Sequence, residues 1–304
     1  MKICIWTDND LDGACSALLL KKIYESAYKD CFIEIKEIND SLFEREFEKW
    51  TIAQSKIDLK ETFNRIFIVD HHIPDSILNL VDQYNVRIID HHKSHFDIKD
   101  RYKQAKAIID IDTSSVAVIR RVYQIESATE TKSFITPEFL DLLDAVNDYD
   151  CYKLKHKDSL SLNAIYGSYK TPRVNSFITN FENGLRPFTI LEKNIIKLYF
   201  NKLKDQLQSS EYFKGNIKNY SVIGCFATHA INEVAHFTLK KYKTDIVIVI
   251  NPNTKNVSFR RSRDSDAKLN IIAEKLCDGG GHEAAAGGKI TDTFLKFTTT
   301  LISC

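Results

Sequence analysis

The chain has 304 residues and a near-balanced charge, 42 Lys and Arg against 41 Asp and Glu, net +1. That is room for two ordinary domains with real cores, and it leaves no global positive field to draw in long duplex nucleic acid. With 43% apolar and 27% charged residues, no apolar run near 18 residues and no secretory leader in MKICIWTDND, the expectation is a soluble, cytoplasmic chain with no membrane partner.

Seven scattered cysteines (Cys4, Cys15, Cys31, Cys151, Cys225, Cys277, Cys304) form no CxxC pair, which suits reduced thiols rather than disulfides or a zinc ribbon.

Taken in order, short Ile- and Val-rich runs each lead to a carboxylate. Lys2–Trp6 leads to Asp8, Ile66–Val69 to Asp70, Val86–Ile89 to Asp90, and Ala107–Ile109 to Asp110. Such runs read as buried parallel strands. Between them Ala14–Glu25, Phe43–Trp50 and Ser76–Tyr84 read as helices, so the pattern predicts an α/β fold: an open, mostly parallel sheet with helices on both faces. Ligands of such sheets bind at the carboxyl ends of the strands, where the aspartates fall. The stretch from Thr113 to about Leu154 reads as mostly helical, and Ile190–Leu207 as an amphipathic connecting helix. Strands at Asp245–Ile250 and Asn256–Phe259, a turn at Asn251–Asn253, a helix near Leu269–Leu276 and a glycine cluster predict a smaller α/β C-terminal domain. The expected division is a larger first domain over 1–187, a connector over 188–213 and a smaller second domain over 214–304.

Four constellations carry chemistry. In Thr7-Asp8-Asn9-Asp10-Leu11-Asp12-Gly13, alternate carboxylates followed by glycine resemble a calcium-binding EF-hand loop. That loop needs a Glu six residues after its glycine, and Leu19 stands there. A tight strand-to-helix turn is the alternative, with Gly13 relieving the backbone. Asp-His-His follows a buried strand twice, at Asp70-His71-His72 and Asp90-His91-His92, and these triplets hold four of the nine histidines. Asp and His together at strand ends suit Mn, Fe, Co or Zn, and an oxygen-rich set favours manganese. The glycine run Gly279-Gly280-Gly281, followed by His282-Glu283-Ala284-Ala285-Ala286-Gly287, lets backbone approach a ligand and present N–H groups to phosphate. The small residues after it are expected to start a helix whose positive end assists. Phe259-Arg260-Arg261-Ser262-Arg263 adds local positive charge.

DxDG near the N-terminus, a strand-end Asp, IDHH, an acidic segment and GGGH together resemble the DHH phosphoesterases with a DHH-associated C-terminal domain, of the nanoRNase and RecJ type. The resemblance implies two divalent ions, manganese first, with magnesium or cobalt as alternatives. Asp10 and Asp12 would each hold one, Asp70 would bridge them, and His91 would ligate the second. Asp90 and His92 would orient the site or meet substrate, so Asp70, Asp90 and His92 are the catalytic candidates. His71 and His72 precede the true motif and are expected to be supporting or surface residues. One further ligand comes from NDYDCY, Asp148 ranked before Asp150. Asp8 stands where many members carry a His ligand. Arg261, Ser262, Gly279, Gly280, Gly281 and His282 would bind the substrate's far end.

The activity so implied is hydrolysis of short oligonucleotides or single-stranded RNA or DNA to nucleoside 5′-monophosphates. Phosphodiester or phosphate hydrolysis of cyclic or linear dinucleotides or of 3′-phosphoadenosine 5′-phosphate is the near alternative. From other classes come a non-catalytic nucleotide-binding module, which loss of ligands would favour, and a structural metal protein, which Cys-rich shells would favour. The sequence is compatible with a homodimer and leaves base, sugar and direction of attack open.

Overall fold

The computed structural model describes residues 1–54, 63–125, 133–281 and 283–302. The chain divides into two compact units, Met1–Ile196 and Lys197–Cys304. The division falls inside the long helix at Ile190–Ser209, so the expected connector is shared between the units.

The first unit is built on five parallel strands. In chain order they are β1 (Lys2–Thr7), β2 (Phe32–Glu37), β3 (Arg65–Val69), β4 (Arg87–Asp90) and β5 (Lys106–Ile109), arranged β2-β1-β3-β4-β5. Helices α1 (Leu11–Ala27), α2 (Asp40–Gln54), α3 (Leu78–Gln83), the single turn α4 (Lys93–Phe96), α5 (Ser115–Val122), α6 (Pro137–Asp150), α7 (Ser159–Ser168) and α8 (Arg173–Phe181) complete the unit before α9 (Ile190–Ser209). The period of two along a strand separates its faces. Ile3 and Ile5 enter one core with Leu18, Leu19, Val116, Leu142 and Phe177, whereas Cys4 and Trp6 enter another with Phe43, Phe47, Trp50 and Val81. On the second face the Trp6 ring meets Phe43, Phe47 and Trp50 edge-on, with centroids 5.8, 5.4 and 5.6 Å away. Helices therefore cover both faces, as the alternating pattern predicts.

One topological feature positions the site. From β1 the chain moves outward to β2, then returns across β1 to β3. The strand order thus reverses between β1 and β3, which opens a crevice at their carboxyl ends. Thr7 and Val69 lie side by side there, and the loops beginning at Asp8 and Asp70 leave from that point.

The second unit carries a mixed six-stranded sheet, β10-β11-β9-β8-β7-β6. Its elements are β6 (Tyr212–Ile217), β7 (Tyr220–Phe226), α10 (Ile231–Tyr242), β8 (Ile246–Asn251), β9 (Asn256–Arg261), α11 (Leu269–Cys277), β10 (Gly280–Gly281), β11 (Ala285–Lys289) and α12 (Asp292–Ile302). The small residues after the glycine run do not start a helix, contrary to the sequence reading. Ala285–Lys289 forms β11, paired antiparallel to β9 and to the two-residue β10. Alanine has the highest intrinsic helix propensity, but propensity is a weak bias, and ladder pairing on both sides overrides it. Among the described residues no helix is long and apolar enough to cross a membrane.

Candidate metal centre

The site assembles at the ends of β1, β3 and β4. Asp10 caps α1, its carboxylate accepting from the Gly13 N–H at 2.8 Å. Gly13 is required by proximity: a Cβ there would sit 2.5 Å from the Asp8 carbonyl oxygen and 2.8 Å from Thr7 Oγ1. Asp12 is 1% exposed and accepts from the backbone N–H of Ser115 at 2.6 Å and Val116 at 3.0 Å. These are first-turn donors of α5, whose positive end stabilises the carboxylate. Asp70 directly follows β3, in the left-handed region at φ 56°, where few non-glycine residues sit. Its Oδ1 accepts from Ser115 Oγ at 3.0 Å and lies 3.2 Å from His91 Nε2. Ser115 therefore touches two of the carboxylates, through its backbone and its hydroxyl.

Asp90, fully buried, holds two imidazoles: Oδ1 is 2.6 Å from His92 Nδ1 and Oδ2 is 3.0 Å from His95 Nδ1. His91 stands between Asp70 and Asp150, with Nδ1 3.6 Å from Asp150 Oδ2, too long for a hydrogen bond. Ligand atoms of Asp12, His91 and Asp150 lie within 4.8 Å of one another, as do those of Asp70, Asp90, His91 and His92.

Of the two acidic candidates on α6, Asp150 joins this cluster. Asp148 turns to the loop that follows the helix, accepting from the N–H groups of Lys155 at 2.9 Å and His156 at 3.0 Å. The order that placed Asp148 before Asp150 does not fit this geometry. Asp8 is half-buried beside the cluster, and its charge bears on Asp10. His71 is fully buried and stacks on Phe43 at 4.5 Å, in the aromatic core rather than at the surface. Ser115, His95 and Tyr102 (bonded to His95) were missed by sequence reasoning. A histidine four residues after His91 was the only signal for His95.

The electrostatics describe a site short of positive charge. Burial, then the charge of Asp70, holds the Asp12 carboxyl well above the usual range; Asp10, exposed at the rim, is pushed the same way by desolvation at the cluster and by Asp70 and Asp8. Asp150 is raised to about 6, chiefly by burial. Burial works against the charged forms of His91 and His92, yet Asp70 and Asp150 bring His91 up to about 12, and Asp90 brings His92 up to about 9. Burial alone would raise Asp70 and Asp90 as well, but their histidine partners hold both below the ordinary carboxylate value.

Asp150 Oδ2 is buried without a hydrogen-bond partner among the described residues. A buried carboxylate oxygen that finds no protein donor fits a cation ligand. The donor set, carboxylates with one or two imidazoles, is that of a first-row divalent ion or magnesium.

In the second unit, Arg261 ends β9 with its Nε buried and without a hydrogen-bond partner among the described residues. Ser262 donates its N–H to the Asp245 carbonyl at 2.8 Å. The glycines divide in purpose. A Cβ on Gly279 would lie 2.0 Å from the Gly287 carbonyl oxygen, and Gly281 has φ +131°, so both serve strand pairing. Gly280 faces open space. His282 lies outside the described residues.

Two family descriptions match the chain. "DHH family, N-terminal domain" covers residues 2–145 and "DHHA1 domain" covers 220–303. The chain belongs to the DHH family of phosphoesterases. No curated protein sequence matches it. Among solved structures it resembles PggH, a pGpG-specific phosphodiesterase from Vibrio cholerae, at 16% identity and a TM-score of 0.57, over 100% of this chain and 98% of that one. An exopolyphosphatase-related protein from Bacteroides fragilis gives 13% identity and 0.57, over 99% and 91%. RecJ from Thermus thermophilus in complex with Mn2+ gives 12% and 0.57, over 99% of this chain and 51% of that one. At these identities the likeness is one of fold.

Proposed function

We propose that this chain is a divalent-metal-dependent phosphodiesterase that cuts short oligonucleotides, or single-stranded nucleic acid from an end, releasing nucleoside 5′-monophosphates. The observation that carries the reading is the buried carboxylate–imidazole cluster, with Asp150 Oδ2 lacking a donor among the described residues. Asp10, Asp12, Asp70, His91 and Asp150, with Asp8 at the edge, would hold two ions, manganese first and magnesium or cobalt next. Bound there, the ions would supply a nucleophilic water at neutral pH and positive charge opposite the phosphoryl oxygens.

The chain's own groups do the rest. Ser115 fixes the Asp70 and Asp12 carboxylates in rotation. Asp90 fixes His92, whose ring can donate a proton to a phosphoryl or leaving-group oxygen. In the second unit, Arg261, Ser262 and the N–H groups around Gly280 supply donors suited to a phosphate or base.

The similarity to a pGpG-specific phosphodiesterase over nearly its full length favours linear dinucleotides as a second reading within the same chemistry. Manganese-supplemented digestion of end-labelled RNA and DNA, from two to about thirty nucleotides, separates the two. Turnover confined to dimers selects the dinucleotide reading, turnover across the short lengths selects the oligonucleotide reading, and no hydrolysis at any length contradicts both.

A further inference from the structure

We infer that His95 and Tyr102, neither of which is among the candidate metal ligands, are positioning residues that fix His92 through Asp90. The inference rests on the proposed role of His92 for its catalytic consequence, but not for its structural one. His95 is fully buried, and so is Asp90. A chain of three contacts runs through them: Tyr102 Oη to His95 Nε2 at 2.9 Å, His95 Nδ1 to Asp90 Oδ2 at 3.0 Å, and Asp90 Oδ1 to His92 Nδ1 at 2.6 Å.

The hydrogen positions follow from chemistry. An ionised carboxylate only accepts, so both Nδ1 atoms carry hydrogen and donate to Asp90. With Nδ1 turned to Asp90, His95 Nε2 meets the Tyr102 hydroxyl, which sits at the edge of the second aromatic core. Asp90 is thereby gripped at both oxygens. Rotation about its carboxyl bond breaks the His95 contact and the His92 contact together. Buried partners of this kind, one step removed from the reacting groups, orient the groups in front of them, and their loss typically costs about 10- to 100-fold in activity. The Tyr102 end adds a further restraint, because it holds the His95 ring in one flip state.

Two substitutions separate this role from simple packing. His95→Asn places an amide N–H near the old Nδ1 and keeps the donor to Asp90; His95→Gln places it near the old Nε2 and loses that donor. The first readout is the downfield ring N–H proton resonance of His92 in the metal-free protein, labelled with 15N-histidine. It is expected to persist, slow to exchange with water, in the parent and in His95→Asn, and to broaden in His95→Gln. The second is dinucleotide hydrolysis, where His95→Gln is expected to lower kcat about 10- to 100-fold with KM little changed, and His95→Asn to recover most of it. Tyr102→Phe should fall between the parent and His95→Gln in both. Equal behaviour of the Asn and Gln variants in the resonance overturns the inference whether or not the parent hydrolyses anything. If the parent shows the resonance pattern but no hydrolysis, the proposed function fails and the positioning role stands.

Discussion

Asp148 and Asp150 sit two residues apart on α6 and should respond to substitution in opposite senses. Asp150 is half-buried among other carboxylates, with its Oδ2 fully buried, and its carboxyl is raised from 3.8 to about 6. A raised carboxyl pKa is a cost of folding at neutral pH. The cost is absent below pH 3.8, where both states are protonated, grows toward pH 6, and is full above it. Its size is about 3 kcal/mol at most. Asp150→Asn should therefore stabilise the chelated protein at pH 7.5, raising Tm by several degrees at roughly 2–4 °C per kcal/mol. Asp148 does the opposite. It is 8% exposed and accepts two backbone N–H groups, so Asp148→Ala should cost about 2–4 kcal/mol and lower Tm. Manganese should raise the Tm of the parent and of Asp148→Ala, and raise that of Asp150→Asn much less. Thermal melts of the three proteins in chelator and in manganese decide the matter. A chelated Asp150→Asn that melts below the parent while keeping the full manganese response would refute the reasoning.

Three further outcomes follow from named contacts. His91→Ala should nearly abolish turnover, whereas His71→Ala should lower stability by emptying the stack on Phe43 yet leave turnover of the folded protein, as steady-state kinetics alongside melts will report. Gly13→Ala forces a Cβ within 2.5 Å of the Asp8 carbonyl oxygen; it should cost about 1–3 kcal/mol by chemical denaturation and displace the Asp8–Asp12 turn, so activity falls with it. Glu192, paired with Arg186 at 2.8 Å and lowered from 4.5 to about 2 chiefly by that hydrogen bond, contributes up to about 3 kcal/mol above pH 4.5 that is lost as pH falls toward 2. Glu192→Gln should thus flatten the acid side of the stability profile, and an unchanged acid limb would contradict the pairing.

The sheet of the first unit was legible wherever an apolar run ended in Asp, because buried parallel strands are apolar on both faces. β2 escaped notice: Phe32–Glu37 (FIEIKE) alternates, lies at the sheet edge and is half-exposed along most of its length. β6 and β7 escaped for a similar reason, with polar residues and a glycine breaking their runs. At the site, Asp70, Asp90 and His91 were readable as strand-end residues. The choice between Asp148 and Asp150 was not, because two residues on a helix point about 200° apart and only the tertiary rotation of α6 selects one. Ser115, His95 and Tyr102 owe their places to contacts made after folding, and beyond the spacing of His95 from His91 nothing local marks them. Gly279 and Gly281 have a packing reason that the sequence did not show: the backbone of Gly287–Gly288 and of Ala285–Ala286 passes too close for a Cβ.

The central claim is that this cluster works through divalent metal. Purified protein should be stripped with EDTA, dialysed, and assayed on a 5′-phosphorylated dinucleotide with manganese, magnesium, cobalt or calcium restored in turn. Activity should vanish in chelator and return best with manganese, poorly with calcium, and not at all in Asp70→Ala. Full hydrolysis in chelator, or an unaffected Asp70→Ala, would contradict it.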